Sequence, residues 1–414
     1  MIRIVDARDK TEVSIARRVG LEDCEAVVRP IVEAVRRDGD AALVRYAREL
    51  DGLGDRPLLV ERGEMKNAEA SLGPNVRRAI KTAIQNIRQF GEAQLPRDCL
   101  REFSPGRKLG WIVRPLEAVG CYVPSGRYPL PSTLLMTAVV AQTAGVERIV
   151  VATPKPSREI LGCAEMLGIR EVYRVGGAQA IAAMAFGTAT MRRVDRIVGP
   201  GNSYVAASKK LLAGEVGIDF VAGPTEIMIV ATEGDARVIA ADMLAQAEHD
   251  ITASAILVTT SMDLAHEVAC EIEAQLKTLP TAETARESID RSSSIQVVKT
   301  KTQAVALVNN YAPEHLSLHD ASLLPQIRNA GTVFLGQGTP ESAGDYAAGP
   351  SHVLPTHGIA RLRGGLSAMD FVKIIAVQQL SPSALDELAP AITTLARAEG
   401  LEAHARSVEV RSVT

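Results

Sequence analysis

The sequence is poor in aromatic side chains, which make up 3% of it, so its cores must be packed by Ala, Val, Leu and Ile. That is the profile of an α/β protein, whose buried parallel strands read as aliphatic runs. The five cysteines, Cys24, Cys99, Cys121, Cys163 and Cys270, are odd in number and far apart. They form no CxxC pair, which argues against a disulfide framework or a cysteine-zinc knuckle, and reduced thiols in a cytoplasmic protein are expected. An excess of either charge is missing too. The formal net charge is −3, and no basic stripe offers itself to nucleic acid. No apolar run reaches bilayer-spanning length without charge or turn residues, and Met1 to Lys10 lack the apolar stretch of a signal peptide. No GxGxxG opens a βα unit, which argues against ordinary NAD binding by a first βα turn, though the turns Gly176-Gly177 and Gly199-Pro200-Gly201-Asn202 could admit a dinucleotide phosphate backbone or simply pack closely.

At 414 residues, with apolar residues at 46%, the chain is long enough for two or three domains. Residues 1–20 form a short segment without a core of their own. Helical spacing runs from Glu22 to Leu50, with Pro30 expected to break it or to open a second helix. Another helix is expected over Pro74–Gln94, and Leu109–Ala118 reads as extended. From Val119, strand, tight glycine turn and helix repeat. Gly120–Val123 meets the turn Pro124-Ser125-Gly126-Arg127. Val172–Val175 leads through Gly176-Gly177 into a helix, and Arg196–Val198 through Gly199-Pro200-Gly201-Asn202 into Tyr204–Leu212. This is the unit of a doubly wound parallel sheet. A second set follows: strand Glu226–Ala231, helix Ala236–His249 with Asp235 as its N-cap, strand Ser254–Thr259, and strand Thr332–Leu335. The stretch Gly336–Thr356 is too rich in Gly, Pro and Ser for helix and reads as a loop leaving a strand end. Leu385–Glu399 reads as helix, opened by Pro390, and Val408–Val410 as an extended tail.

Residues suited to chemistry stand in four places. Gln246 and His249 lie three apart at a helix end, the spacing of two ligands to one ion and equally that of a polar helix terminus. Glu314 and His315 follow Pro313, and a carboxylate beside an imidazole suits acid/base work at neutral pH. Asp345 and His352 share the glycine-rich loop. His404 follows the C-terminal helix and, on its own, reads as a surface histidine.

Taken together, the segments Val198–Val205, Ala222–Glu226, Ala245–His249, Tyr311–Leu316, and Ser342–Tyr346 through His352–Thr356 closely resemble the histidinol dehydrogenase family, over about Glu22 to His404. The resemblance implies two Rossmann-like doubly wound α/β domains, one inserted in the other, with small terminal segments. Residues 21–119 and 229–362 would carry the metal and acid/base residues, 120–228 would bind NAD, and 363–414 would be a helical tail swapped onto the partner of a homodimer. It implies Gln246, His249, Asp345 and His404 as ligands of one Zn²⁺ per subunit, and Glu314 and His315 as the acid/base pair. It implies Thr225, His352 and Glu399 as further substrate contacts beside Gln246, His249, His315, Asp345 and His404, and Tyr122, Gln179 and Asn202 as NAD contacts. The implied reaction is oxidation of L-histidinol through the aldehyde to L-histidine. The sequence departs from the family at Thr225, where Ser is more usual, at Ser125, where Gly is, and at Ser254, where many members have Gln. Alternatives to weigh are a related dehydrogenase of another small alcohol such as a sulfonated diol, a zinc hydrolase built on Glu314, and an inactive scaffold.

Overall fold

The computed structural model describes residues 1–9, 13–15, 22–125 and 128–411, so Gly126 and Arg127 of the expected turn lie outside it. The aliphatic runs do form buried parallel strands. A six-stranded sheet has the order β1 (Arg3–Asp6), β11 (Ser294–Val297), β10 (Ser254–Thr259), β9 (Glu226–Val230), β12 (His315–Leu318), β13 (Thr332–Leu335). A five-stranded sheet has the order β6 (Glu171–Tyr173), β5 (Arg148–Ala152), β4 (Ala118–Tyr122), β7 (Arg196–Val198), β8 (Gly217–Ile218). Every pairing in both is parallel. Each is wound outward in both directions from a central strand, β9 or β4, so the α/β doubly wound class holds.

The two sheets meet at opposite edges. Pro124 and Pro200–Ser203 leave the C-terminal ends of β4 and β7, while Thr225, Glu314 and His315 sit at the N-terminal ends of β9 and β12. All of them line one cleft.

The early helices pack on the five-stranded sheet. Val28, Val32 and Val35 share a core with Tyr122, Ile181 and Ala207. Ile80, Ala83 and Ile87 share one with Leu135 and Val139. Residues 22–94 therefore cover the sheet of 118–218, where the sequence reading grouped them with 229–362. Their apolar faces announced burial but not which sheet would receive them. Conversely, β1 has no core of its own and joins the six-stranded sheet as an edge, paired with β11. Ile87 is fully buried in this packing. Ile87→Ala should cost about 2–5 kcal/mol, read as a lower denaturant midpoint.

Four local expectations differ from the structure. The helix Glu22–Asp38 runs unbroken through Pro30, because the apolar face on either side is anchored in the core and outweighs one lost hydrogen bond. The helix Pro382–Ala398 likewise contains Pro390 and opens instead at Pro382, with Ser381 Oγ accepting from Ala384 N at 3.2 Å. The C-terminal Val408–Val410 is the end of a helix, Glu402–Glu409, and not extended. A run of three residues cannot distinguish the two periods. Within the glycine-rich loop a short helix, Glu341–Tyr346, follows Pro340. Pro then Glu before a turn is a helix-start signal that the surrounding glycines obscured.

Of a third sheet, the sequence marked only the central strand, read as extended over Leu109–Ala118. Strands β2 (Cys99–Ser104), β3 (Arg107–Pro115) and β14 (Val372–Leu380) form an antiparallel sheet in the order β14-β3-β2. It leaves Leu100, Phe103, Trp111, Ile374 and Ile375 exposed.

Candidate active site

The cleft between the two sheets has a volume of about 510 Å³ and takes its wall from Asn202, Thr225, His249, Glu314, His315, Asp345 and His352 among others. Gln246 lies in the last turn of the helix Ala236–Ala247 and is fully buried; His249 follows just past the helix end and is half-exposed. The helix ends earlier than the sequence suggested, and the turn after it lets both residues serve one place.

A chain of hydrogen bonds fixes the floor. Gln246 Nε2 donates to Thr225 Oγ1 at 2.8 Å, and Thr225 Oγ1 donates to Glu314 Oε2 at 2.6 Å. Glu314 Oε2 also accepts from Glu226 N at 2.8 Å. The amide of Gln246 is thereby oriented with its oxygen turned away from Thr225, and that buried Oε1 meets no donor among the described residues. Glu314 and His315 serve one site because Ala312 takes a left-handed conformation, φ 53°, and turns the chain before β12.

His315 is stacked on Phe334, with centroids 6.0 Å apart. Its Nδ1 donates to the carbonyl of Glu226 at 3.2 Å. Its Nε2 faces Asp345 Oδ1 at 3.8 Å. Burial by itself would push the imidazole down. Glu341, Glu314 and Asp345 around it outweigh that and hold it well above the ordinary histidine range. Asp345, on the short helix, also has Oδ2 at 3.8 Å from His249 Nε2. His352 is held between the Asp345 carbonyl, 2.9 Å from Nδ1, and Thr133 Oγ1, 3.2 Å from Nε2. Burial keeps it below the usual histidine range.

Glu341 escaped the sequence reading. It is buried, its Oε1 lies 3.6 Å from His315 Nδ1, and burial raises its carboxyl above the usual range. The signal was available: Glu341 precedes Asp345 by four, one turn of the helix that Pro340 opens.

Two groups stand apart from the cleft. Tyr122 and Gln179 are buried beneath the Gly176–Gly177 turn. Tyr122 Oη accepts from Gly177 N at 3.1 Å, and Gln179 Nε2 donates to Asp51 Oδ2 at 2.9 Å. Asn202 does line the cleft, its Oδ1 capping the helix Ser203–Leu212 by accepting from Val205 N at 3.1 Å. Glu399 caps the helix Pro382–Ala398 and His404 lies on Glu402–Glu409; both are exposed and neither lines the cleft of its own chain.

Among the described residues no three His, Cys, Asp or Glu side chains are grouped to hold a metal ion. In one chain the converging donors are an amide, an imidazole and a carboxylate. They nonetheless fit a divalent cation: the buried Gln246 oxygen lacks a donor, and Glu314, Glu341 and Asp345 crowd carboxylates around a single imidazole. Nitrogen and oxygen donors of this kind suit Zn²⁺.

A family model described as histidinol dehydrogenase matches residues 16–412. The chain is 47% identical to a histidinol dehydrogenase of Thermus thermophilus, covering 99% of this chain and 100% of that one. It is 44% identical to one of Methanothermobacter thermautotrophicus, covering 98% and 97%. The crystal structure of a histidinol dehydrogenase from Elizabethkingia anophelis superposes with a TM-score of 0.93 at 34% identity, covering 99% of this chain and 98% of that one.

Proposed function

The chain belongs to the histidinol dehydrogenase family, and from that premise we propose that it oxidises L-histidinol through L-histidinaldehyde to L-histidine, using Zn²⁺ and NAD. The observation that carries the reading is the hydrogen-bonded chain Gln246–Thr225–Glu314. It ties a would-be metal ligand to a would-be base at the floor of a cleft shared by both sheets.

Held by Gln246, His249, Asp345 and His404 of the partner subunit, the metal would bind the amino alcohol through its nitrogens, with NAD accepting hydride from the carbinol carbon. His315, its Nδ1 spent on the Glu226 carbonyl, would present Nε2 to take the alcohol proton once a bound cation offsets the Glu341, Glu314 and Asp345 carboxylates that otherwise keep the ring protonated. Glu314, pinned through Oε2 by Thr225 and Glu226 N, has Oε1 to draw a proton from the water that hydrates the aldehyde. The hydrate then loses a second hydride and becomes the acid. Each turnover consumes one alcohol, one water and two NAD, and releases the carboxylate, two NADH and three protons. No thioester is required, and Cys121 and Cys163 are poor nucleophiles, their thiols pushed up to about 12 by burial.

The unit of the five-stranded sheet, 118–218, would take the dinucleotide, and the six-stranded unit the metal and acid/base pair. The swapped homodimer is supported by the exposed apolar side chains of the C-terminal arm, Leu395, Leu401 and Val410, beside Glu399 and His404. No helix among the described residues is long and apolar enough to cross a membrane, and with its free thiols the protein is expected in the cytoplasm.

Metal analysis combined with NADH counted per histidinol tests this. About one zinc per subunit and two NADH per histidinol are expected. A single NADH, or turnover only with another alcohol such as a sulfonated diol, would refute it. Glu314→Gln should separate the halves. Oxidation of the aldehyde should fall by roughly 10²–10⁴-fold, as for removal of a general base, and alcohol oxidation by much less. Equal losses, measured in single turnovers started from histidinol and from histidinaldehyde, would remove Glu314 from the water-activating role.

A further inference from the structure

The turn Gly199–Asn202 leaves β7 and forms one wall of the cleft with Pro200, Gly201 and Asn202. Gly199 holds φ at 115°, and a Cβ there would stand 2.2 Å from the carbonyl oxygen of Tyr122. The turn is pressed against the end of β4, and the N–H and C=O of Gly199 lie beyond the last pairing of β7. Buried backbone groups in that position need partners.

Both partners come from one buried ion pair. Asp219 Oδ2 accepts from Gly199 N at 2.8 Å, and Lys209 Nζ donates to Gly199 O at 2.6 Å. Lys209 Nζ also donates to Asp219 Oδ1 at 2.7 Å. The side chains are 3% and 0% exposed. Asp219 Oδ1 further accepts from Phe220 N at 2.7 Å, and Phe220 lines the same cleft. From outside, Arg363 Nη1 donates to the Asp219 carbonyl at 3.0 Å and its guanidinium lies 5.5 Å from the Phe220 ring centroid.

Two charges buried this deeply give back little net stability from their mutual attraction, because desolvation offsets most of it. What an apolar pair cannot do is satisfy the donor and the acceptor of one residue at once while joining them to the next cleft residue. We propose that Lys209 and Asp219 are positioning residues for the cofactor wall: together they fix Gly199 and Phe220 so that Pro200 and Asn202 stand where the dinucleotide must lie. This rests on the reading of that wall as the NAD site.

The test compares wild type, Asp219→Asn and the double variant Lys209→Met with Asp219→Asn, as full-length protein. It uses steady-state kinetics on histidinol and NAD, NADH binding by fluorescence, and thermal melting. The double variant leaves no unpaired buried charge, although the Gly199 carbonyl loses its donor, and should melt closer to wild type than Asp219→Asn alone. Both variants should still raise the KM for NAD and the Kd for NADH by about tenfold, with kcat at saturating NAD and the KM for histidinol nearly unchanged. Wild-type NAD affinity in either folded variant, or equal rises in both KM values, would overturn the proposal and leave the pair a structural element only. If the wild type itself failed to turn over histidinol, the functional reading would fall, while NADH binding would still decide the role of the pair.

Discussion

Asp345→Ala is expected to strip the metal and abolish turnover together. The carboxylate stands 3.8 Å from His249 Nε2 on one side and 3.8 Å from His315 Nε2 on the other. No other residue on the helix Glu341–Tyr346 reaches His249 in an ion pair. The variant is a clean one because the second task of Asp345, holding His352, is done by its backbone carbonyl at 2.9 Å, which alanine keeps. Alanine also favours the helix it would join. Zinc content should fall to a small fraction of wild type. Activity should fall by at least about 100-fold, the upper end of the loss seen when even an outer-shell partner of a metal ligand is removed. The two losses should track each other across added zinc. Full zinc retention with lost activity would place the metal elsewhere.

Much of this was legible in the chain before it folded. The helix Pro74–Gln94 has the bounds its apolar spacing marked, and Asp235 caps its helix through Arg237 N as its position before an apolar run implied. Parallel sheets were legible because both faces of their central strands are buried, so β9 and β10 read as unbroken aliphatic runs. In the antiparallel β14-β3-β2 sheet only β3 was legible, as an extended stretch; β2 and β14 are mostly exposed, and no hairpin turn joins β14 to β3. The choice of sheet by the helices of 22–94 was hidden for another reason: an apolar stripe says that a face is buried, not against what. In the site, Glu314 and His315 could be named from the resemblance, but their service to one cleft depends on the left-handed Ala312, a conformation no residue type there demanded. Glu341 and the Lys209–Asp219 pair are single charged residues in otherwise ordinary segments. Their importance comes entirely from burial beside functional groups, which a linear sequence does not display.

Mixing two inactive variants should restore activity. Residues 399 and 404 sit on an arm, Pro382–Ala398 and Glu402–Glu409, whose two helices pack chiefly on each other and leave Leu395, Leu401 and Val410 in solvent. Arg397 bridges Glu402 and Glu409, which fixes the angle between the helices and lets Glu399 and His404 move as one body. If that body completes the neighbour's cleft, each site takes His249 from one chain and His404 from the other. A homodimer of His249→Asn lacks a ligand at both sites, and so does a homodimer of His404→Ala. In a heterodimer one site collects both defects and the other collects both intact histidines. Random reassortment makes about half of the dimers mixed, each with one good site of two, so the mixture should recover about a quarter of wild-type activity and zinc. An arm that served its own chain would leave every site in the mixture one ligand short. Co-refolding the two variants and finding no gain over either alone would therefore reject the swapped dimer while leaving the assignment of His249 untouched.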